Sequence, residues 1–157
     1  MIRMIAACAR NRVMGTGGTL PWNLTKDWDY FLETTRGGAL LMGRICYEDF
    51  VEYARCRKVV VLSRNPEFFV EHGQQAPDLL KGLALAKGLA KDVWICGGEQ
   101  IYQECMNIAE ELYLTLIDSD FEGDAHFPEW KEHFPRQISR KDATCDGYRL
   151  SFLVLGK

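Results

Sequence analysis

The chain has 157 residues, a formal net charge of −3 at pH 7 and an apolar fraction of 47%. This length predicts a single domain over residues 1–157 with one sizeable core, and the apolar content excludes a disordered chain. The negative balance argues against a general nucleic-acid binder. Any anionic ligand must therefore be met by local basic residues.

The six cysteines and the N-terminus bear on the cellular compartment. No two cysteines form a CxxC pair and no histidine lies at zinc spacing from one, so no metal site is predicted. Six cysteines permit a disulfide framework by count, but a chain this rich in core residues and without a secretory signal does not need one. The N-terminal apolar run is too short for a signal peptide or a membrane span. We therefore expect a reducing, cytoplasmic environment.

Short apolar runs alternate with helical patterns along the chain. The run 2–8 predicts a buried strand, and the stretch 11–19 after it predicts a loop with three glycines. The later elements are, in order, helix 24–35, strand 39–42, helix 44–53, strand 58–63, a helix from the N-cap Asp78 to residue 89, strand 93–96, helix 100–107, strand 112–117 and a two-stranded hairpin within 136–155. This order predicts an α/β domain with a mostly parallel central sheet, helices on both faces and an antiparallel edge.

Ligands bind beyond the carboxyl ends of the strands in such a sheet, which directs attention to the loops after Cys8, Met42, Leu62 and Cys96. The first of these loops has about fifteen residues without predicted structure, which is long for a compact domain and favours a mobile lid. The simpler interpretation is a flexible connection. Trp22, at its exit, offers a large flat wall with one N–H donor.

Asp27 lies on the apolar side of the predicted helix 24–35. At about 3.6 residues per turn it shares an arc with Trp28 and Phe31, whereas the other acidic residues of the helix fall on the opposite arc. A carboxylate there costs free energy unless it is paired or protonated, and burial raises its pKa. Two interpretations are open: a functional acid or anchor, or a helix-end Asp that interacts with the amide dipoles of the first turn.

The other three loops carry residues suited to phosphate groups. Gly43-Arg44 opens a helix, and a helix N-terminus beside a guanidinium binds anions. Ser63-Arg64 follows a strand, where an arginine can hold a ribose 2′-phosphate and select NADPH over NADH. Gly97-Gly98 precedes a helix whose amides can meet a pyrophosphate, although a close packing turn also explains it. Each arginine alone is equally a solvated surface charge; two at neighbouring strand ends favour a phosphate site.

Two further residues are candidates on their chemistry. Arg57 suits bidentate capture of a carboxylate, and Arg55 and Lys58 compete with it on chemistry alone. Thr115 lies mid-strand, and an inward hydroxyl there needs a partner, for which Asp27 and the nearby backbone are both candidates.

Taken together, these segments resemble a dihydrofolate reductase over the whole chain. The matching segments are Ile5-Ala6-Ala7, Arg12-Val13-Met14-Gly15, Leu20-Pro21-Trp22-Asn23-Leu24, Asp27 with Phe31, Met42-Gly43-Arg44, Arg57-Lys58, Leu62-Ser63-Arg64, 95–98 with Ile101-Tyr102, Tyr113-Leu114-Thr115, and Gly123-Asp124 with His126-Phe127-Pro128. The resemblance implies a central eight-stranded sheet with flanking helices. It also implies NADPH-dependent reduction of 7,8-dihydrofolate to 5,6,7,8-tetrahydrofolate for one-carbon metabolism, by hydride transfer to C6 and protonation of N5.

The resemblance also implies roles for individual residues. The implied catalytic residues are Asp27, Trp22, Thr115 and Tyr102. The implied substrate contacts are Ile5, Ala6, Asp27, Trp28, Phe31, Phe50, Arg57 and Thr115. The implied NADPH contacts are Ala7, Met14, Gly15, Leu20, Gly43, Arg44, Ile45, Cys46, Leu62, Ser63, Arg64, Cys96, Gly97, Gly98, Glu99, Gln100, Ile101 and Tyr102. Small molecules are the implied partners, with neither nucleic acid nor membrane, and the implied state is a monomer that antifolates such as trimethoprim target.

Some positions depart from the family pattern. Cys46 stands where threonine is usual, and Cys96 replaces an aliphatic residue beside both ligands. Glu99 follows the glycine pair and would repel a pyrophosphate unless it points away. The segment 52–56 lacks the usual Gly/Pro-Leu-Pro character, and Trp28 enlarges the apolar wall beside the acid.

Two alternatives share this pattern. One is a deaminoribityl-pyrimidine reductase of riboflavin synthesis, which has the same architecture and cofactor but another substrate. The other is a pterin-binding protein without activity. The arrangement of Trp22 and Asp27, with Arg57, favours folate over the pyrimidine.

Overall fold

The computed structural model describes residues 1–15 and 22–157 of the chain. Its strands are β1 (Ile2–Ala9), β2 (Val13–Gly15), β3 (Ala39–Gly43), β4 (Lys58–Leu62), β5 (Gln74–Ala76), β6 (Val93–Ile95), β7 (Glu111–Ile117), β8 (Ala125–His126), β9 (Arg136–Cys145) and β10 (Tyr148–Gly156). Its helices are α1 (Thr25–Thr34), α2 (Arg44–Ala54), α3 (Leu79–Leu89) and α4 (Glu99–Cys105). None of the helices in the described part of the chain is long and apolar enough to cross a membrane.

Eight of the strands form one mixed sheet in the order β5-β4-β3-β6-β1-β7-β10-β9. The first six strands in this order pair in parallel, whereas β10 pairs antiparallel with both β7 and β9. The prediction of a mostly parallel sheet closed by an antiparallel hairpin is therefore confirmed. The carboxyl ends of the parallel strands meet along one edge, which is where the loops after β1, β3, β4 and β6 emerge.

The helices cover both faces of the sheet, as the continuous apolar runs of its central strands require. Leu41 and Val60 face the layer that contains α3 and α4, together with Leu83 and Tyr102. The alternate residues of the same strands face the layer that contains α1 and α2. The structure confirms the N-cap of α3, since the Asp78 carboxylate accepts a hydrogen bond from the Lys81 amide at 2.8 Å.

The sequence prediction was wrong for three short strands. The stretch 11–19, taken as a loop without structure, contains β2, which pairs antiparallel with β8. Neither β8 nor the edge strand β5 was predicted. These strands have two or three residues each, too few to show an alternating pattern, and their pairing depends on distant segments of the chain.

Candidate active site

A cleft of about 960 Å³ opens at the carboxyl edge of the sheet. Its volume lies at the upper end of the range for small-molecule sites. All four loops singled out from the sequence contribute to it, through Gly15, Gly43, Arg64 and Gly98 among others. One end of the cleft is apolar and aromatic, and the other carries the arginines, so the two ends suit ligands of different character.

Asp27 lies in the apolar half of the cleft, on the first turn of α1. Its side chain is half-buried against the sheet, and its neighbours on the outer face of the helix, Lys26 and Asp29, are exposed. Burial raises the pKa of the Asp27 carboxyl to about 6, although hydrogen bonding works in the opposite direction. A carboxyl group with this pKa holds or releases a proton close to neutral pH, as acid–base chemistry requires.

Two side chains act on the Asp27 carboxyl. The hydroxyl of Thr115, from the middle of β7, donates a hydrogen bond to it and lowers its pKa. The indole of Trp22 lowers the same pKa, yet its buried Nε1 has no hydrogen-bond partner of normal geometry among the described residues. Both facts fit an N–H that is near the carboxylate but beyond a well-formed hydrogen bond. Trp22 is held in place by the ring of Phe121, at a centroid distance of 5.4 Å.

An aromatic wall is formed by Trp28, Phe31, Phe50 and Tyr53, of which the first three line the cleft together with Asp27. The rings of Phe31 and Phe50 meet edge-on at 5.9 Å across the gap between α1 and α2. Trp28 stacks on Phe31 at 5.4 Å and meets Tyr53 at 4.9 Å. Because these contacts are mutual, the wall is in place before any ligand arrives, and it presents flat apolar surfaces to a flat aromatic molecule.

Arg57 joins the end of α1 to the segment after α2. Its Nη1 donates to the Thr35 hydroxyl at 3.0 Å, and its Nη2 donates to the Leu32 carbonyl at 2.6 Å. The guanidinium is half-buried and has no carboxylate partner among the described residues. Two of its nitrogens are thus fixed by neutral acceptors while its charge is not neutralised, which leaves the group ready to receive an anion.

The glycine pair at the end of β6 meets the end of β3 in the middle of the cleft. The Gly43 amide donates to the Gly97 carbonyl at 2.9 Å, and the peptide bond between Gly97 and Gly98 is cis. Gly97 has a φ of 117°, and a Cβ there would lie 3.2 Å from the ring of Tyr102, so a larger residue does not fit. A Cβ at Gly98 would meet no atom within 4 Å, so the backbone there borders open space that a phosphate group can approach.

The basic end of the cleft contains Arg44 and Arg64. Arg44 lies in the first turn of α2, pairs with Glu48 at 3.0 Å and packs over the ring of Phe68. Arg64 follows β4, is exposed and forms no ion pair among the described residues. Beside it, the Ser63 hydroxyl accepts a hydrogen bond from the Asn65 amide at 3.2 Å, which shapes the turn.

Three residues that depart from the family pattern have clear structural positions. The Glu99 carboxylate accepts a hydrogen bond from the His126 amide of β8 at 2.9 Å, so part of its charge is directed at β8. The Cys46 thiol donates to the Cys96 carbonyl at 3.5 Å, and the Cys96 thiol donates to the Trp94 carbonyl at 3.3 Å. Burial raises the pKa of the Cys46 thiol to about 12, so this group remains protonated.

Comparison with known proteins decides the family. A family profile described as dihydrofolate reductase matches residues 1–157. The chain is 34% identical to a dihydrofolate reductase type 3 from Salmonella typhimurium, over 100% of this chain and 98% of that protein. It is 36% identical to a dihydrofolate reductase from Neisseria meningitidis, over 89% of this chain and 91% of that one. It superposes on dihydrofolate reductase from Enterococcus faecalis, complexed with NADP(H) and RAB-propyl, with a TM-score of 0.88, 27% identity and coverage of 99% and 95% of the two chains.

The chain belongs to the dihydrofolate reductase family. It is an oxidoreductase that uses NADPH to reduce dihydrofolate to tetrahydrofolate, as the resemblance in its sequence implies. The donor set of the cleft fits both ligands, since an acid with an aromatic wall lies at one end and glycine backbone with two arginines at the other. No group of three or more His, Cys, Asp or Glu side chains within residues 1–15 and 22–157 is arranged to hold a metal ion.

The structure brings most of the residues proposed for a dihydrofolate reductase site together. Those that line the cleft are Ile5, Ala6, Ala7, Met14, Gly15, Asp27, Trp28, Phe31, Gly43, Arg44, Ile45, Cys46, Phe50, Leu62, Ser63, Arg64, Cys96, Gly97, Gly98, Glu99, Gln100, Ile101, Tyr102 and Thr115. Trp22 and Arg57 are not among the residues that line the cleft. Leu20, proposed as a cofactor contact, lies outside the described residues, as does Pro21.

Several residues of the cleft were not proposed from the sequence. They are Tyr30, Met42, Asp49, Pro77, Asp78, Leu79, Leu80, Glu104, Asp124 and Ala125. Asp49 had a usable signal, because it lies four residues after Ile45 and therefore on the same face of α2. No signal in the sequence showed that the N-terminus of α3 and β8 approach the cleft, because their approach depends on the positions of β5 and β2.

Proposed function

We propose that Asp27 is the acid that anchors the pterin ring of dihydrofolate and promotes protonation of its N5. The observation that carries this proposal is a carboxyl with a pKa of about 6 in the apolar half of the cleft, beside the Thr115 hydroxyl. The carboxylate accepts hydrogen bonds from the pterin amino group and the adjacent ring N–H. Its negative charge raises the proton affinity of N5, and a protonated N5 makes C6 a better hydride acceptor.

The neighbours of Asp27 have supporting roles in this scheme. Thr115 orients the carboxylate, and Trp22 closes the site behind it. NADPH supplies the hydride when it is bound. Tyr102, whose hydroxyl donates to the Ile5 carbonyl at 2.7 Å, holds β1 against α4 and so fixes the wall against which the nicotinamide lies.

The remaining contacts follow from the shape of the cleft. The aromatic wall takes the ring system that links the pterin to the glutamate tail. Arg57 holds the α-carboxylate of that tail, because its guanidinium is fixed by the Thr35 hydroxyl and the Leu32 carbonyl and has no carboxylate partner among the described residues. Arg44, Ser63 and Arg64 hold the adenosine phosphate end of the cofactor, and the Gly97–Gly98 backbone meets the pyrophosphate.

Substitution of Arg64 by alanine tests the cofactor assignment. We expect the preference for NADPH over NADH, measured as a ratio of kcat/KM values, to fall about tenfold or more, since a charged hydrogen bond contributes about 1.5–3 kcal/mol. Arg149→Ala is the matched control, because Arg149 is exposed on β10 and does not line the cleft. Equal selectivity in the wild type and the Arg64 variant would rule out a 2′-phosphate contact.

We also propose that residues 1–157 act as one domain, as a monomer and in the cytoplasm. The single-domain proposal is supported by one sheet whose strands run from residue 2 to residue 156. The cytoplasmic proposal is supported by the six cysteines, all of them described and free of disulfides. Sedimentation of the purified protein at micromolar concentration tests the monomer, with a sedimenting mass near 18 kDa as the expected result.

A turnover assay tests the whole scheme. Purified protein with NADPH and 7,8-dihydrofolate is expected to oxidise NADPH with formation of tetrahydrofolate. The same assay with a deaminoribityl-pyrimidine is expected to show no turnover. Activity on the pyrimidine alone would instead indicate the riboflavin-pathway enzyme, and folate binding without NADPH oxidation would indicate a binding protein.

A further inference from the structure

Acidic side chains are unexpectedly frequent in a cleft whose ligands are anionic. The six that line it in the described part of the chain are Asp27, Asp49, Asp78, Glu99, Glu104 and Asp124. Five are engaged within the protein, by the Thr115 hydroxyl at Asp27, the Lys81 amide at Asp78, the His126 amide at Glu99, the Gln100 side chain at Glu104 and a further contact at Asp124. Asp49 is exposed and makes neither a hydrogen bond nor an ion pair with any described residue.

Asp49 lies on α2 between a residue of the basic end of the cleft and a residue of the aromatic wall. Arg44, at the start of the helix, belongs to the cofactor end of the cleft, and Phe50 belongs to the aromatic wall. At a rise of about 1.5 Å per residue, Asp49 lies about 7.5 Å along the helix axis from Arg44 and immediately before Phe50. Its charge also reaches inward, where it contributes to the raised pKa of the Cys46 thiol one turn earlier.

None of the cations near Asp49 in sequence, which are Arg44, Arg55 and Arg57, pairs with it in the described part of the chain. Arg44 is paired with Glu48 at 3.0 Å, on the next turn of the same helix. Arg57 donates to the Leu32 carbonyl of α1 and to the hydroxyl of Thr35, the residue after that helix. The Asp49 carboxylate therefore has no paired cation among the described residues, and it lines the same cleft as Asp27.

We propose that Asp49 is a specificity-determining residue that makes the affinity for a pterin-like ligand depend on the charge of its substituent. It favours a hydrogen-bond donor or a positive charge close to the ring and disfavours a negative charge there, so that an anionic tail is tolerated only farther out, at Arg57. This inference rests on the proposed placement of the pterin at Asp27. It concerns selection among ligands of one site and leaves the reaction unchanged.

A matched pair of ligands tests the inference. Two 2,4-diaminopyrimidines carry the same aryl substituent and differ only in ending in an ammonium or a carboxylate group. Their Kd values are measured by titration for the wild type, Asp49→Asn and Glu52→Gln. Glu52 is the control, because it is an exposed acid on the same helix that does not line the cleft.

We expect Asp49→Asn to shift the ratio of the two Kd values about tenfold in favour of the carboxylate ligand at low ionic strength. The shift should shrink in 0.5 M salt, since screening weakens interactions between exposed charges. Glu52→Gln should leave the ratio within about twofold of the wild type. An unchanged ratio in Asp49→Asn, or an equal shift in Glu52→Gln, would overturn the inference.

Two further measurements keep this test separate from the proposed function. Asp49→Ser removes the charge with a smaller side chain, and it should reproduce the shift seen with asparagine; a shift confined to one variant counts against a charge effect. Turnover of dihydrofolate by the wild type is measured in parallel. If the wild type turns over dihydrofolate normally but Asp49→Asn leaves the ratio of the two Kd values unchanged, only the role of Asp49 is refuted. If the wild type shows no turnover, the proposed function is refuted.

Discussion

Replacement of Asp27 by asparagine is expected to slow hydride transfer about a hundredfold or more at pH 7. Asparagine keeps the size of the side chain and an oxygen that the Thr115 hydroxyl can still reach, but it removes the negative charge. Without that charge N5 of the substrate binds a proton less readily, and hydride addition to C6 becomes harder. Single-turnover measurement of NADPH oxidation, with both ligands bound beforehand, isolates this step from binding and release.

The hydride-transfer rates of the wild type and Asp27→Asn are expected to depend differently on pH. In the wild type, the hydride-transfer rate is expected to fall as the pH rises above about 6, where the Asp27 carboxyl loses its proton. In Asp27→Asn the same fall should occur at lower pH, because a free proton must then reach N5 without help from the carboxylate. The variant should therefore recover part of its rate below about pH 5. A flat profile with wild-type rates would contradict the assigned role.

Stability provides the control for this substitution. The pKa of Asp27 is about 6 in the folded protein, above the ordinary value of 3.8 for an aspartic acid, so the folded state binds more protons between these pH values. Stability is therefore lost as pH rises from about 4 to 6, and the ionised carboxylate costs about 3 kcal/mol above that range. Asp27→Asn should be more stable than the wild type at pH 8 in urea unfolding. Lower stability would show that the activity loss reflects damage to the fold.

The fold could be predicted from the sequence where the physical signal is local. Short β-branched apolar runs such as Val59–Val61 favour strands that are covered on both faces, and they predicted the central sheet. The N-cap at Asp78 and the polar outer arc of α1 likewise depend on neighbouring residues alone. The strands that sequence analysis missed, β2, β5 and β8, owe their existence to partners up to about a hundred residues away.

The residues of the site likewise differ in whether a local signal in the sequence predicts them. Asp27 stands out because an acid on an apolar helical face is an energetic conflict that sequence periodicity exposes directly. The hydrogen bond from Thr115 and the engagement of Glu99 by β8 were open questions, because each depends on where a distant strand lies. The position of Asp49 on the same face of α2 as Ile45 could be read from the sequence, but its lack of a partner among the described residues could not, because that depends on the three-dimensional arrangement.

Substitution of Arg57 by alanine is expected to raise the KM for dihydrofolate about thirtyfold or more, with kcat changed only a few-fold. The guanidinium is held by the Leu32 carbonyl and the Thr35 hydroxyl but has no anionic partner among the described residues, so its charge is available to the substrate carboxylate. A hydrogen-bonded ion pair of this kind contributes several kcal/mol when one partner is partly buried. Steady-state kinetics with saturating NADPH separates KM from kcat.

Arg57 also joins α1 to the segment after α2, so loss of structure must be distinguished from loss of the ligand contact. Arg57→Lys keeps the charge but not the fork of donors, and it should give a KM between those of the wild type and the alanine variant. Arg55→Ala, at an exposed position two residues earlier, should leave KM unchanged. A pteridine substrate that lacks the glutamate tail should be turned over equally well by the wild type and Arg57→Ala. If the alanine variant loses activity on both substrates alike, Arg57 stabilises α1 and does not bind the tail.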